Sequence, residues 1–575
     1  MDLVFDIETD GLDHNKIWCI VAKEVNEDKF HIYQPHNIEQ GIRFLEKADT
    51  LIGHNIIGFD IPAMEKYYNF KSNAKIVDTL VMSRLFNPAQ EKGHSLEVWG
   101  LKLGYPKLKQ PETFDEYTEE MCEYCQGDVI LNEKVYHALI KSGEGFHKDS
   151  IKLEHQVAYI MKKQEADGFM LDEQYANLFL DKLNNRQAIV EREVQETFKP
   201  IMVDDKEVRP YIKKDGTLSN RGLTDEEYDK CINSGDTKPF MRKKLQEFNL
   251  GSRKQIGERL LELGWKPKKF TPTGQPIVDE GTLSKVKHIK EAALITEFLL
   301  LQKRIAQITS WLDELKDDRV HGFVIPNGAV TGRMTHRKPN MAQVPSIYKE
   351  YGVECRSCWT VPEGYKLVGI DASGLELRML AHYMKDEEYT NEIINGDIHT
   401  TNQELAALES RDQAKTFIYA FLYGAGDEKI GKIIKANKGE GKKLKSRFLR
   451  NLPSLRTLTE RVRKAATRGW LRGLDGRKIY VRTVHASLNS LLQGGGAIVM
   501  KQAMVYLDQY IKEKNLDAKF VANIHDEWQL EVKDTDADKV GELGVLALEK
   551  AGDHYNMNCP LTGEYKIGDN WSETH

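Results

Sequence analysis

The sequence predicts a multidomain protein in which an α/β domain is followed by a largely helical stretch and then by an α+β region. Three observations predict it. Apolar strand-like runs alternate with helical stretches over the first 150 residues; a helical period dominates from Ile151 to about Lys316; strand-like runs return after Pro326. The length of 575 residues exceeds what one core supports, and at roughly 150 residues per domain it suggests about four structural units. Hydrophobic residues make up 40%, which is ordinary for a folded soluble chain and argues against disorder. No apolar run approaches the roughly 20 residues that span a bilayer. The N-terminus, Met1-Asp2-Leu3-Val4-Phe5-Asp6, carries an acid where a secretory signal needs basic residues, so no targeting segment is expected. Seven cysteines, an odd and sparse number, point to a reducing, intracellular setting.

In chain order, the strand-like runs LVFDIET, WCIVAKEV and TLIGHN come first, followed by helical EVWGLKLG and the 119–142 segment. Asp6 and Glu8 lie two apart in the first run, so a strand points both to one face. An ionised acid facing a core is costly unless it is paired or metal-bound. Asp60 closes GHNIIGFD. Tyr124 and Asp128 are four apart in MCEYCQGDVILNEKVY, which puts phenol and carboxylate on one helix face. Each acid alone reads as a turn or capping residue. As a set, four carboxylates able to converge, with oxygen-only chemistry, suit two Mg²⁺ ions about 3.5–4 Å apart that clamp a phosphodiester.

The middle stretch contains helical runs such as LEHQVAYIMKKQEADG and EAALITEFLLLQKRIAQITSWLDEL. Between them, residues 201–247 hold ten basic and ten acidic residues with the turn signals KKDG and NSGD. That composition predicts a loop or small insertion with little core of its own. Further on, Asp371 ends the apolar run KLVGI and opens DASGLELRMLAHY, while Asp526 sits in IHDEW between apolar strands. Two strand-end aspartates far apart in sequence could share a metal pair, although each alone reads as a turn-former. Between them, RDQAKTFIYAFLYGAG places Arg411, Lys415 and Tyr419 at i, i+4 and i+8 on one helix face. Two cations there suit a triphosphate and the ring suits a base or sugar; a solvated helix face is the plainer reading of the stripe. The net charge of −6 would disfavour nucleic acid, but residues 429–482 carry 18 Lys and Arg against only Glu440, Glu460 and Asp475. Such a block suits a phosphate-binding surface, because a protein's field depends on where its charges sit.

Taken together, DxE (Asp6, Glu8), NxxxFD (closing on Asp60) and YxxxD (Tyr124, Asp128) resemble the three motifs of the proofreading 3′–5′ exonucleases that have a tyrosine in the third motif. DASGLELR, RxxxKxxxxxxxYG and HDE resemble motifs A, B and C of family A (polymerase I-like) DNA polymerases. Thr331-Gly332-Arg333, GDIHT with His399, LLQGGG with Gln493 and HRKPNMAQVP with Gln343 are similar to supporting stretches of that family. The local wording RDQAKTFIY, FLYGAGDEKIG and GLDGRK resembles the replicative polymerases of the T-odd, short-tailed bacteriophages, over nearly the whole chain apart from about 201–247.

The resemblance implies a ribonuclease-H-like exonuclease domain at 1–150 and then a right-hand polymerase. The thumb would span 151–318 with the insertion at about 201–247, the palm 319–400 and 485–575, and the fingers 401–484 with the basic block. It implies DNA-templated primer extension by two-metal nucleotidyl transfer with 3′–5′ proofreading, in phage genome replication. Primer-template DNA and dNTPs would be the substrates, with two Mg²⁺ per active site and Mn²⁺ as a substitute. By the same resemblance, Asp6, Glu8, Asp60 and Asp128 hold the exonuclease metals and Tyr124 orients the attacking water. Asp371 and Asp526 coordinate the polymerase metals, assisted by the Ala372 carbonyl. Lys415 and Arg411 grip the triphosphate beside His399, Tyr419 stacks on the nucleotide, and Tyr423 shapes the templating site. Glu376 crowds the sugar C2′ position, so a 2′-hydroxyl is excluded. Arg333 and Gln493 read the minor-groove edge, where every pair offers an acceptor; Gln343 joins them in binding DNA, and His525 contacts the primer terminus.

The resemblance also implies a phage helicase-primase and a single-stranded DNA-binding protein as partners, and the cytoplasm of the infected bacterial host as the location. The phage relatives carry a longer, basic thumb insertion that binds a host thioredoxin. Here the corresponding segment is shorter and balanced in charge, which argues against that clamp. Two other readings compete. One is a nuclease of the ribonuclease D kind whose C-terminal half only binds nucleic acid; the intact set of Asp371, Lys415 and Asp526 argues against it. The other is a zinc site at Cys122/Cys125 or Cys355/Cys358, where no histidine spacing helps and buried apolar thiols are the better expectation.

Overall fold

The computed structural model describes residues 1–11, 14–283, 285–286 and 288–575, with backbone alone at residue 280. The chain divides into two compact units, Met1–Asp172 with Glu314–His575, and Glu173–Asp313. The first unit opens with a mixed sheet of β1 (Asp2–Thr9), β2 (Ile17–Glu24), β3 (Phe30–Tyr33), β4 (Thr50–Gly53) and β5 (Lys75–Asp78), in the order β3-β2-β1-β4-β5. β1 runs antiparallel to β2 and parallel to β4. Around the sheet lie α1 (Ile38–Leu45), α2 (Asp60–Tyr68), α3 (Thr79–Phe86), α4 (Leu96–Leu103) and α5 (Glu119–Ser142). EVWGLKLG is α4 and the 119–142 segment is α5, started by Thr118, whose hydroxyl accepts from the Met121 amide.

The period-2 alternation of β1 sorts its residues between two cores. Leu3, Phe5 and Ile7 join the cluster that includes α1 and α2, whereas Val4 joins Cys122, Cys125 and Val129 of α5. Asp6 and Glu8 continue the Val4 face, so the strand aims both carboxylates toward the helix that carries Tyr124 and Asp128.

α6 (Lys148–Asp167) leads out of this domain and packs on the helix Ser487–Glu513 and the strand Ala518–Ile524. The compact second unit begins at Glu173, and α6 belongs to the first. Within the second unit the long helices Glu173–Thr197 and Lys290–Asp313 pack together, tied by Arg186 to Glu297 at 2.6 and 3.0 Å. Of the loop or small insertion that the composition of 201–247 predicts, the structure has the second. Strands Ile201–Val208 and Phe240–Gln246 pair antiparallel, and the helix Asp225–Ser234 between them carries a Thr224/Glu227 capping box. Paired strands and a capped helix satisfy the backbone locally, and opposite charges are placed to meet, as in Lys244 with Asp205 at 2.7 Å. Only a few apolar side chains, Val208, Leu218 and Cys231 among them, are buried there.

The C-terminal part of the first unit is built on an antiparallel sheet in the order Ala518–Ile524, Glu527–Lys533, Tyr365–Ala372, Gly563–Gly568. Val368, Ile370 and Ala372 face the large core, which includes Val540, Ala547 and Leu548 of the helix Ala537–His554. Asp371 falls on the opposite face by alternation. The C-terminal tail covers that face: Thr574 O stands so close to Gly369 that an added Cβ would meet it at 2.5 Å. Among the described residues, no helix is long and apolar enough to cross a membrane. Cys122, Cys125, Cys355 and Cys358 are all buried.

The basic block 429–482 is not uniformly solvated. Arg477 is buried and binds Asp475 through three nitrogen–oxygen contacts of 2.6 to 3.0 Å. It also meets Glu154 of α6 at 2.6 Å, and Lys501 of the helix Ser487–Glu513 meets the same Glu154 oxygen at 2.7 Å. Burial pulls the Lys501 ammonium down to about 8, against the opposing charge of Glu154. A buried ion network of this kind contributes register more than net stability, and removing one member strands the others. Glu154→Ala is therefore expected to lower stability by about 3–5 kcal/mol, whereas Glu154→Leu combined with Lys501→Met recovers most of the loss. Urea unfolding of the full chain, followed by tryptophan fluorescence, measures both.

Candidate functional site

Two clusters of carboxylates stand out. The first lies in a cleft of about 690 Å³ in the N-terminal domain, lined by Asp6, Glu8, Asp60, Tyr124 and Asp128. All five expected residues are thus brought together. β1 supplies Asp6 and Glu8, α5 supplies Tyr124 and Asp128, and Asp60 is the first residue of α2, where a carboxylate also favours the helix N-terminus. The Ile7 amide donates to Asp60 Oδ1 at 3.3 Å, tying α2 to β1. Asp78 anchors the approach to α2: its carboxylate accepts from the Asn55 and Ile57 amides at 3.0 and 3.1 Å and caps α3.

The electrostatics of this cleft are those of acids held together against their preference. Burial pushes the Asp6 carboxyl well up, and Asp60, Glu8 and Asp128 add to the effect. Burial raises Glu8 to about 8 and Asp60 to about 7. Asp128 is raised by burial, opposed by Lys107. Asp128 Oδ1 is buried without a hydrogen-bond partner. Such a donor set, oxygen-rich, desolvated and mutually repelling, fits divalent cations, whose charge would offset the crowding. The Cys125 thiol closes the rear, 3.4 Å from the Asp6 carbonyl and 3.7 Å from Asp6 Oδ2.

The second cluster is at the edge of the C-terminal sheet. Asp371 pairs with Glu527 across the strands, and the Ala372 amide donates to the Asp526 carbonyl at 3.0 Å. Asp526 sits in the two-residue turn between Ile524 and Glu527, with His525 in the left-handed region at φ 58°. Sheet pairing thus seats the two expected aspartates side by side. Burial lifts Asp371 to about 7, with the Asp526 charge next; burial lifts Asp526 to about 6, with the Glu376 charge next.

Opposite them runs the helix Arg411–Leu422, capped by Ser410 and held from behind by Phe417 against Phe448. Arg411 and Lys415 are exposed, and Tyr419 is half-buried on the same stripe. The Tyr419 phenol is raised by burial and then by Glu376 and Asp526, so it faces the acids. His399 is lowered by burial and then by Arg411 and Lys415, so two cations gather beside a neutral imidazole. Glu376, in the first turn of the helix Leu375–Met384, accepts from the Tyr423 hydroxyl at 2.8 Å and lies 3.5 Å from Arg333. Gln493 is half-buried on the helix Ser487–Glu513, and Gln343 is exposed at the end of the short turn Met341–Gln343. Neither hydrogen-bonds to the aspartate cluster among the described residues.

Sequence reasoning missed three groups. Lys107 reaches Asp128 at 2.7 Å from a loop whose pattern carries no signal. Asp397, two residues before His399, accepts from Arg411 Nε at 2.6 Å and from the His399 amide at 3.1 Å; its place as the cap of the helix Ile398–Ala406 was legible. Glu527 is buried between Trp571 Nε1 at 2.7 Å and His575 Nδ1 at 3.2 Å, contacts that only the folded tail creates.

The sequence matches DNA polymerase family A over residues 223–573 and the RNase H superfamily over residues 3–104. It is 34% identical to the DNA-directed DNA polymerase of Enterobacteria phage T3 and 33% identical to that of Escherichia phage T7, over the full length of each chain. It is 26% identical to the DNA polymerase I of Aquifex aeolicus, covering 99% of this chain and 96% of that one. In fold it is similar to the polymerase domain of Pol1 from M. smegmatis, solved with primer-template DNA and dNTP, at a TM-score of 0.78 and 18% identity, covering 100% and 95% of the two chains.

The raised carboxyls make cation binding in the N-terminal cleft depend on pH, because each proton on Glu8 or Asp60 must leave before the oxygen coordinates. Mn²⁺ affinity of the cleft should therefore rise as pH climbs through about 7 and about 8 and level off above. Isothermal titration at a series of pH values, with proton release read from two buffers, checks it.

Proposed function

Because the chain belongs to DNA polymerase family A, we propose that Asp371 and Asp526 with the helix Arg411–Leu422 form its nucleotidyl-transfer centre, and that Asp6, Glu8, Asp60 and Asp128 form its exonuclease centre. The chain is a DNA-directed DNA polymerase with a 3′–5′ proofreading exonuclease, and it acts on primer-template DNA and deoxynucleoside triphosphates. One observation supports the polymerase assignment above others: the two aspartates adjoin through paired strands, and Tyr419 of the helix Arg411–Leu422 stands near enough for Glu376 and Asp526 to raise its phenol. A C-terminal half that merely binds nucleic acid, as in the ribonuclease D reading, has no use for that pairing and is not favoured.

Divalent cations, Mg²⁺ with Mn²⁺ as a substitute, supply charge neutralisation and make an oxygen nucleophile available when bound. The chain's own residues do the rest. Arg411 and Lys415 draw the triphosphate onto the helix, with His399 beside them. Tyr419 offers its ring to the incoming nucleotide, and Tyr423, held on Glu376, borders the templating position. Glu376 crowds the sugar C2′. Arg333 and Gln493 read acceptors common to every correct pair, with Gln343 and His525 contacting the DNA further along. Positioning and electrostatics are what in-line phosphoryl transfer asks of a protein. A second, hydrolytic centre supplies the discrimination that pairing contacts alone lack. There Tyr124 orients the attacking water.

We assign residues 1–150 to the exonuclease, 151–318 to the thumb, 319–400 and 485–575 to the palm and 401–484 to the fingers. The basic block lies mainly in the fingers, where it suits template phosphates. A phage helicase-primase and a single-stranded DNA-binding protein are the proposed partners, in the cytoplasm of the infected host. The balanced charge of 201–247 does not suit a thioredoxin clamp.

Asp526→Asn is expected to cut primer extension by at least about 100-fold while leaving digestion of single-stranded DNA intact; unchanged synthesis in a gel-based extension assay sinks the assignment. Asp6→Ala with Glu8→Ala should do the reverse, abolishing digestion and sparing synthesis. Glu376→Ala should admit ribonucleotides, and sugar selectivity equal to the parent would remove Glu376 from that role.

A further inference from the structure

Lys107 is a cation of the exonuclease cleft that the assigned machinery does not use. Lys107 Nζ lies 2.7 Å from Asp128 Oδ2, shares a hydrogen bond with the Tyr124 hydroxyl, and stands 4.6 Å from the centre of that ring. It comes from the segment between α4 and α5, residues 104–118, which has no regular structure yet is firmly seated. Leu108 closes on α5 at Gly127, where an added Cβ would lie 2.6 Å from Leu108 Cδ1. Tyr105 closes on α4 at Gly100, where a Cβ would meet the Tyr105 carbonyl at 2.7 Å and the Lys107 amide at 3.2 Å. The Trp18 indole donates to the Phe114 carbonyl at 2.8 Å and pins the far end. Two glycines on two helices therefore let the segment approach closely enough to deliver Lys107 between the third-motif tyrosine and aspartate.

We propose that Lys107 is a further catalytic residue of the hydrolysis: its ammonium binds a non-bridging oxygen of the scissile phosphate at a single-stranded 3′ end, and the contact with Asp128 and Tyr124 is the position it leaves when the strand arrives. The inference rests on the exonuclease reading of this cleft. Charge supplies the reason. Four carboxylates line the site and the substrate brings a phosphodiester, while among the described residues Lys107 and Arg84 are the only Lys or Arg side chains lining the cleft. In the reaction a P–O bond forms from water and the P–O3′ bond to the penultimate nucleotide breaks. One water proton ends on the departing 3′-oxygen, the other goes to solvent, and a nucleoside 5′-monophosphate is released. The ammonium keeps its proton throughout and stabilises the negative charge that accumulates on the phosphoryl oxygens, as a fixed donor aimed at a transition state does.

The test compares Lys107→Ala, Lys107→Arg and Asp6→Ala in the full chain on a labelled single-stranded oligodeoxynucleotide with saturating Mg²⁺. Lys107→Ala should lower kcat by about 100-fold or more with KM changed little, Lys107→Arg should recover at least about tenfold of that, and extension of a matched primer should stay at the parent rate. Mn²⁺ binding, read by electron paramagnetic resonance in an Asp371→Asn background, should be unweakened by Lys107→Ala, since the variant removes a competitor from Asp128. Hydrolysis within about threefold of the parent, an arginine variant as slow as alanine, or weakened Mn²⁺ binding overturns the proposal. If Asp6→Ala abolishes digestion while Lys107→Ala does not, this inference falls alone. If both variants digest normally, the exonuclease reading of the cleft falls with it.

Discussion

The structure depends on backbone ladders strong enough to hold like charges together. Asp371 and Asp526 repel one another, and burial disfavours their ionised forms. What keeps them adjacent is the antiparallel pairing of Tyr365–Ala372 with Glu527–Lys533, in register from Tyr365↔Lys533 to Asp371↔Glu527. A slip of one residue would send Asp371 into the helical core and Ile370 against the C-terminal tail, so the apolar alternation that stabilises the sheet also sets the position of the acids. The proposed nucleotidyl-transfer centre is thereby tied to the most ordinary interaction in the molecule.

The sheet edge is further secured from the C-terminus. Glu527 is pushed up by burial, but the hydrogen bond from His575, the charge of Arg356 and the Trp571 indole outweigh this and hold it below its usual range. Trp571 is fully buried, and Thr574 donates to Gln529 at 2.8 Å. The last residues of the chain thus hold the strand on which the turn bearing Asp526 is built. The exonuclease cleft uses a different construction for the same purpose, a strand face opposed to a long helix, and it is the more desolvated of the two.

Much of this was readable beforehand, and for identifiable reasons. Period-2 alternation in LVFDIET placed Asp6 and Glu8 on one face, and period-3.6 spacing placed Tyr124 with Asp128 and Arg411 with Lys415 and Tyr419. Local periodicity survives folding because each element must still bury its apolar stripe. For 201–247 the composition leaves a loop or a small insertion open, because a balanced, polar segment carries no core signal; the hairpin that forms is held by strand pairing and a capping box, which hydropathy does not register. Lys107 was illegible for a related reason. Its position follows from where Gly100 and Gly127 allow the chain to approach, a property of two helices in space.

The sequence by itself determined which side chains share a strand or helix face, as with Asp6 and Glu8 or Arg411, Lys415 and Tyr419, because the periods of 2 and 3.6 are local properties of the backbone. It also determined the order of the domains. Tertiary structure alone decided which acids share a site, since residues 371 and 526 become neighbours only through a strand register. It decided which charges are buried in pairs, as with Glu154, Arg477 and Lys501, and which cation reaches the exonuclease acids. Those outcomes are set by packing distance and desolvation, and neither exists until the elements have met.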